Sequence, residues 1–396
     1  MMSFTKHALT SMRYMLGRTI GPILGGVLSF AVLCPVATAS PGVETVAKQA
    51  YIVDLETGAV LLDKESGIPS PPASLSKLMT IYLVFEKLKR GELALDDMFV
   101  VSRKAWKTGG SRMFVEIGKR VRVEDLLRGI IVQSGNDACI VVAEGLSGSE
   151  VEFVDMMNRK ARDMGLADSH FVNSTGWPAA GHGMSPRDIA TLSRRIIEDF
   201  PQYYPYFAEK SFRYNEIRQR NRNPLLYGET GADGLKTGYT SASGYGLAAS
   251  AIRNGRRIVM VLTGLPSVRK RTQEARRLLN WAFRSFKNYT IFQRGDVVER
   301  ASVWLGEEET VPLVAESDIE ISLPRTSRRG LEVKVVYEGP IPAPIEKGAQ
   351  VARLVISAPG FKTAELPLVA GADIRRLGPF DRVGAWIGHM VWGRDR

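Results

Sequence analysis

Three short groups of residues in this sequence have the types and spacing to do chemistry. Ser74-Leu75-Ser76-Lys77 lies in PPASLSKLMT, Ser134-Gly135-Asn136 in IIVQSGNDACI, and Lys236-Thr237-Gly238 opens the run KTGYT. A serine hydroxyl becomes a nucleophile only beside a base. A lysine three residues on can supply one if the segment is helical, because positions i and i+3 share a helix face. A serine at the N-terminus of such a helix also meets backbone N–H groups and the positive end of the helix dipole. Ser134 can relay a proton and Asn136 can hold an amide, although serine and asparagine at a helix boundary are also the residues of a plain cap. Lys236 and Thr237 offer a cation and a hydroxyl to a carboxylate, and Gly238 lets a backbone come close. Each group alone is weak. Ser3-Phe4-Thr5-Lys6 and Lys107-Thr108-Gly109-Gly110 repeat two of the patterns. The second of these is followed by no strand hairpin and reads as a loop.

Other chemistries lack support. The histidines are His7, His170, His182 and His389, without HExxH spacing, and no CxxC occurs, so neither a metal site nor a cofactor is expected. There is no GxSxG elbow. Neither a phosphate-binding loop nor a dinucleotide fingerprint is found.

The three groups need elements to position them. Residues 49–63 alternate and turn at Glu56-Thr57-Gly58, which predicts a hairpin. From Ser74 to Arg90 the apolar residues Leu75, Leu78, Met79, Tyr82, Leu83, Phe85 and Leu88 recur at helical spacing. Further helices are predicted over 123–132, 136–146, 150–164 and 185–198. Residues 236–264 read as two or three strands with Asn254-Gly255 as a hairpin turn, and 268–286 as a closing helix. A helical block between early and late strands predicts an α+β domain whose strands join in one sheet. Residues 289–372 hold short β-rich runs with many Gly and Pro, no helix and no cluster of catalytic types. In the tail, 373–396, Phe380, Val383, Trp386, Ile387, Met390 and Val391 fall on one helical face. Too short and too interrupted by Gly384 and Gly388 to span a membrane, this helix is expected to lie in the membrane surface.

The N-terminus and the composition bound the setting. Residues 1–18 carry Lys6, Arg13 and Arg18 without an acid; an apolar stretch runs from Ile20 to Val36, and Ala37-Thr38-Ala39 follows. That order predicts a secretory signal peptide over 1–39. Leu33 before Cys34 argues against a lipoprotein. Cleavage would remove three basic residues from a net charge of +11, leaving +8, and would leave Cys139 as the one cysteine. No internal disulfide is then available. Cys139 sits in the apolar run 138–143 and reads as a small buried side chain. With 396 residues, 44% hydrophobic and 24% charged, the chain is neither disordered nor a polytopic membrane protein. Its basic residues are dispersed without an aromatic-interleaved patch, so no nucleic-acid partner is expected.

Ser-x-x-Lys, Ser-x-Asn and Lys-Thr-Gly, in that order and on those elements, form a known motif set of penicillin-recognising serine enzymes. PPASLSKLMT, SGNDAC and GLKTGYT resemble the low-molecular-mass penicillin-binding proteins, serine-type D-alanyl-D-alanine carboxypeptidases. The resemblance covers nearly the whole mature length. It implies a β-lactamase/transpeptidase-like catalytic domain over 40–288, an antiparallel sheet with a helical block. A small all-β domain over 289–372 and an amphipathic anchor over 373–396 would follow. It further implies Ser74 as the acylated nucleophile, Lys77 as its base, Ser134 as proton relay and Asn136 as amide ligand. Lys236, Thr237 and Gly238 would meet the terminal carboxylate, and the N–H groups of Ser74 and Tyr239 would form an oxyanion hole. Arg222 and His182 match family residues near the substrate; Arg271 reads as a solvated or ion-paired arginine. The implied partners are a peptidoglycan pentapeptide stem ending in D-Ala-D-Ala, β-lactams as covalent inhibitors and the periplasmic face of the inner membrane. D,D-endopeptidase and D,D-transpeptidase activities fit the same motifs. A class A β-lactamase would need a glutamate where residues 160–191 offer only Asp163, Asp168 and Asp188. An inactive peptidoglycan-binding protein would have lost Ser74, Lys77 or Lys236.

Overall fold

In the computed structural model, residues 43–359 and 361–378 are described. The expected signal peptide and the tail from residue 379 lie outside them. The first hairpin is β1 (Gln49–Asp54) and β2 (Val60–Lys64). Seven α-helices follow in the first domain: α1 (Lys77–Lys89), α2 (Arg103–Lys107), α3 (Val123–Val132), α4 (Asn136–Ser147), α5 (Glu150–Asp163), α6 (Pro186–Asp199) and α7 (Val268–Ser285). Between α6 and α7 run β3 (Ala232–Thr240), β4 (Gly244–Arg253) and β5 (Arg256–Leu265). One antiparallel sheet has the order β2-β1-β5-β4-β3. β1 pairs with β5 across the whole helical block, Ala50 opposite Leu262. The early and late strands therefore do share a sheet.

Alternation along β5 explains why that sheet is covered on both faces. Val259 and Val261 belong to the core shared with the helical block, whereas Ile258, Met260 and Leu262 belong to a second core. On that side α7 presents Ala275, Leu278, Leu279 and Ala282, the i, i+3, i+4, i+7 stripe of an amphipathic helix. Asn254 and Gly255 turn β4 into β5 with φ of 52° and 81°, the twist-matched hairpin their types predict. α1 is buried on almost every side, from Leu78 through Leu88. It is the central rod of the helical block, and its N-terminus points the first chemical group at the sheet. Ser149, Ser185 and Ser267 each cap a helix by accepting an N–H three residues on.

The second domain begins as α7 gives way to the strand Phe286–Phe292, which pairs with Ile319–Pro324. A six-stranded sheet completes it around Val311, Leu313, Leu354, Ile356 and Leu368. Two sequence expectations change here. Arg325–Gly330 forms a 3-10 turn, so this domain is not free of helix. Of its six residues only Ser327 is buried, so no apolar period marks it. Residues 373–378 are not the start of a helix. Ile374 exchanges backbone hydrogen bonds with Ile345 and is buried in the β-core, and Arg376 bridges Gly306. The helical pattern of the tail is thereby confined to residues beyond 378.

Asp54 joins the two domains. It is fully buried at the end of β1; Oδ1 accepts the N–H groups of Glu56 and Thr57, and Oδ2 accepts from Arg256 Nε at 2.5 Å. Asn288 Nδ2 reaches the same carboxylate at 3.2 Å, and Arg256 Nη1 donates to the Phe286 carbonyl at 2.9 Å. Breaking one side of a buried ion pair costs about 3–5 kcal/mol. Asp54→Ala is therefore expected to lower stability by that order in urea unfolding, and Asp54→Asn by less. A loss below about 1 kcal/mol for Asp54→Ala would place the joint elsewhere.

Candidate active site

Ser74 lies in a 3-10 turn, Ala73–Ser76, that runs directly into α1. The turn is tightly held. Ala73 has φ +50°, a left-handed conformation that costs free energy for a residue with a side chain. Gly176, at φ +79°, abuts it so closely that a Cβ there would fall 1.8 Å from the Ala73 carbonyl oxygen. On the other side β3 closes in: a Cβ on Gly238 would lie 3.0 Å from the Pro72 carbonyl and 3.3 Å from Leu75 Cγ. Gly238 thus admits the turn that carries Ser74, a constraint from within the fold itself.

Lys77 is fully buried one turn below Ser74. Its ammonium has three donors and three acceptors: Ser74 Oγ at 2.9 Å, Asn136 Oδ1 at 2.7 Å and the Thr175 carbonyl. Burial pulls its pKa from 10.5 down to about 8, and the charge of Arg222 acts in the same direction. The three acceptors come from the α1 turn, from α4 and from the loop after α5. That loop is shaped by Asn173, whose Oδ1 accepts the N–H groups of Thr175, Gly176 and Trp177.

Ser134 bridges α3 and α4 with φ +60°. It is not the helix cap that its type permits: the N-cap is Gly135, and no side chain caps α4. Ser134 Oγ instead accepts a hydrogen bond from Lys236 Nζ at 2.8 Å, which ties the helical wall to β3. Lys236 is buried as well and also donates to the Thr237 carbonyl at 3.1 Å. Desolvation, then the charges of Lys77 and Arg222, push its pKa well below the ordinary lysine range. Asn136 is in use on both sides, since Nδ2 donates to the Gly109 carbonyl at 2.8 Å while Oδ1 holds Lys77. It orients the lysine and keeps one N–H for a ligand.

Arg222 donates from Nη1 to Ser111 Oγ at 2.6 Å, and the Ser111 carbonyl accepts the Asn136 N–H at 2.7 Å. The guanidinium thereby joins the rim. Tyr239 is half exposed and stacks on Tyr245 at 4.1 Å. Arg271, expected to be solvated or paired with an acid, is buried with its guanidinium 5.7 Å over the Tyr245 ring. Its Nε has no partner. Lys236, Arg222 and Arg271 thus give the cleft a positive side, and burial lowers the pKa of each. Cys139 is buried as expected, its thiol pushed up to about 12 by desolvation.

His182, which the resemblance places near the substrate, bonds Ser76 beside Ser74. It is buried behind the turn that carries Ser74: Nδ1 accepts the Val172 N–H at 3.1 Å, so the neutral ring carries its proton on Nε2 and donates to Ser76 Oγ at 2.7 Å. It braces the turn from below. Residues not singled out in the sequence complete the site: Thr175 through its carbonyl, Asn173, Ser111, Ser76 and Asp137. The Asp137 carboxylate accepts the N–H groups of Met113, Phe114 and Val115 and so fixes the loop beside Asn136. Asn173 and Gly176 carry a turn signature that could have pointed to their loop; a backbone carbonyl carries none.

Comparison with known proteins follows this geometry. The profile of peptidase family S11, described as D-alanyl-D-alanine carboxypeptidase, matches residues 35–267. The chain belongs to the D-alanyl-D-alanine carboxypeptidase family. A second profile, described as the penicillin-binding protein 5 C-terminal domain, matches residues 286–376. The D-alanyl-D-alanine carboxypeptidase DacD of Escherichia coli (strain K12) is 37% identical over 348 residues, 86% of this chain and 90% of that protein. Penicillin-binding protein 5 of Haemophilus influenzae superposes with a TM-score of 0.77 at 33% identity, covering 85% of this chain and 99% of its own. Ampicillin-bound penicillin-binding protein D2 of Listeria monocytogenes covers 62% of this chain and 100% of its own, at TM-score 0.57 and 26% identity.

His182 makes stability depend on pH in a stated direction. Burial first, then the charges of His170 and Lys77, lower its pKa from 6.5 to about 4. Its contribution is fully present above about pH 6.5 and is lost as the pH falls through about 4, because the unfolded chain binds the proton more tightly. Urea midpoints measured between pH 4 and 7 should fall more steeply with acid in the wild type than in His182→Gln. Parallel curves would mean that the ring is not held neutral.

Proposed function

We propose that the chain is an exported serine D-alanyl-D-alanine carboxypeptidase that removes the terminal D-alanine of peptidoglycan pentapeptides through an acyl-enzyme on Ser74. Family membership makes it a serine-type hydrolase of this class. The observation that carries the mechanism is the 2.9 Å contact between Lys77 Nζ and Ser74 Oγ, made by a lysine whose burial brings its pKa to about 8. Neutral Lys77 takes the hydroxyl proton as Ser74 Oγ attacks the carbonyl carbon of the penultimate D-alanine. The N–H groups of Ser74 and Tyr239 face the developing oxyanion. Because Lys236 donates to Ser134 Oγ, the hydroxyl proton of Ser134 is free to be directed at the leaving nitrogen. D-alanine departs, and water then cleaves the ester. Lys236, Thr237 and Arg222 receive the terminal carboxylate on the positive side of the cleft. β-Lactams, whose ring amide occupies the place of the scissile bond, are expected to acylate the same serine.

Slow release of that adduct fits the acids between residues 160 and 191. Asp188, the buried one, already accepts the Asp168 N–H at 2.9 Å and the Ser169 hydroxyl at 2.8 Å. No glutamate stands between residues 160 and 191 to activate a deacylating water. The signal peptide over 1–39 and the apolar face of the tail are the grounds for placing the enzyme at the periplasmic face of the inner membrane. In this reading 40–288 is the catalytic domain, 289–372 plus the paired residues to 378 form the β-domain, and the rest is the anchor. No helix among the described residues is long and apolar enough to cross a membrane.

Intact mass after incubation with benzylpenicillin should show one adduct on the wild type and none on Ser74→Ala, and the wild type alone should release D-alanine from a pentapeptide. An adduct on the variant would remove Ser74 from its role. Acylation should rise about tenfold per pH unit below about 8 and level off above it, because the base must be neutral. Lys77→Ala should acylate roughly 10²–10⁴-fold more slowly. A flat profile between pH 6 and 9 would assign the proton transfer to another group. Deleting residues 379–396 should release the protein from sedimented membranes; continued sedimentation would refute the anchor.

A further inference from the structure

Trp177 belongs to the loop after α5, two residues beyond the carbonyl that accepts from Lys77. Its backbone is tied down on both sides. The N–H reaches Asn173 Oδ1 at 3.0 Å and Thr175 Oγ1 at 3.1 Å, and the carbonyl accepts from Asn173 Nδ2 at 2.9 Å. Thr175 Oγ1 donates in turn to Asn173 Oδ1 at 2.9 Å, which closes the set. Yet 54% of the residue is exposed. A tryptophan ring gains more from burial than most side chains, because its apolar area is large. Here the loop fixes where the ring is carried and leaves much of it in water.

The ring's place is set against the Asn136 amide. A Cβ built on Gly110 would lie 2.6 Å from Trp177 Cζ3 and 2.8 Å from Asn136 Nδ2, so ring and amide are neighbours across the same bare backbone. Gly110, at φ +75°, lets both come close because it has no side chain. Asn136 Oδ1 holds Lys77, and Lys77 holds Ser74 Oγ. Contact therefore runs unbroken from the indole to Ser74. The direction is given by the two glycines at the Ser74 turn. Gly176, next to Trp177, meets the Ala73 carbonyl, and Gly238 of β3 meets the turn from the other side. Trp177 thus rises on the wall opposite Lys236 and Thr237, which receive the terminal carboxylate in the reading above. Ser111, the residue after Gly110, gives its hydroxyl to Arg222 instead. What lies against the indole is then the acyl side of the scissile bond. The N–H that Asn136 Nδ2 keeps for a ligand meets the carbonyl of the amide on that side, and the group which that amide carries emerges beside the ring.

We propose that Trp177 determines specificity on the acyl side: its ring is the apolar wall of a subsite for the hydrocarbon substituent on the amide that Asn136 holds. The inference rests on the carboxypeptidase reading above. It is tested with two penicillins that share the ring system, the carboxylate and the side-chain amide, one bearing phenylacetyl (benzylpenicillin) and the other acetyl. Second-order acylation rates are followed by intact mass in wild type, Trp177→Ala and Trp177→Phe. The wild type should favour the phenylacetyl compound by roughly tenfold, the scale of one aromatic contact. Trp177→Ala should lose most of that ratio, and Trp177→Phe should keep it within about threefold. The ratio is the deciding quantity, because a variant that merely loosened the loop would slow both reactions alike. An equal fall with both compounds therefore overturns the subsite, as does a wild type without preference or a preference that survives Trp177→Ala. A wild type acylated by neither compound refutes the acyl-enzyme reading itself and the subsite with it, an outcome distinct from the others.

Discussion

One buried ammonium group organises the catalytic domain. Lys77 brings three donors to a fully buried position, and each must meet an acceptor. The structure supplies a hydroxyl from the turn before α1, an amide oxygen from the start of α4 and a carbonyl from the loop after α5. Because these come from three separate segments, satisfying the lysine fixes their mutual positions. In the proposed reaction the arrangement serves chemistry as well as fold. The desolvation that makes the lysine costly to bury as a cation brings its proton affinity into a range where it can give up and regain a proton near neutrality. The second buried lysine, Lys236, repeats the device across the cleft, and its bond to Ser134 closes the helical block onto the sheet.

Around this pair the backbone is used at close quarters. Gly176 and Gly238 reach the Ser74 turn from opposite sides, where a side chain would collide with the Ala73 carbonyl at the first and crowd the Pro72 carbonyl at the second. Ala73 and Ser134 are held in left-handed conformations, at φ +50° and +60°. Beneath them, His182 holds Ser76 by a single directed bond. Ser74, the proposed nucleophile, is thus positioned by packing and hydrogen bonds.

Much of this was legible in the sequence, for physical reasons. Helices α1 and α3 to α7 are long and strongly periodic; the bounds of α3 to α7 fall within one residue of expectation, and α1 begins three residues later because Ala73–Ser76 is a 3-10 turn. Asn254-Gly255 has one favoured hairpin geometry, and the structure adopts it. The three chemical groups are side-chain signals, so their types and spacing disclosed them. What escaped depends on partners distant in sequence. The Thr175 carbonyl has no residue-type signature. The burial of Arg271 and the position of His182 follow from tertiary packing that local patterns do not encode. The 3-10 turn at 325–330 has no apolar period, and Ile374 was read as part of a helical tail because its strand-like partner lies 29 residues back.

The order of strands has a consequence for how the chain comes to be folded. β1 is made first, yet its neighbour β5 is the last strand of the sheet, more than 200 residues later. Until that strand arrives, β1 and β2 form an isolated hairpin, which is at best marginally stable in water. The helical block meanwhile lacks the Val259 and Val261 side chains that complete its core. A polypeptide emerging in sequence order cannot close this domain early, since its longest-range pairing is also its final one. The same topology that presses β3 against the nucleophile turn keeps the chain open until almost the whole catalytic domain is present.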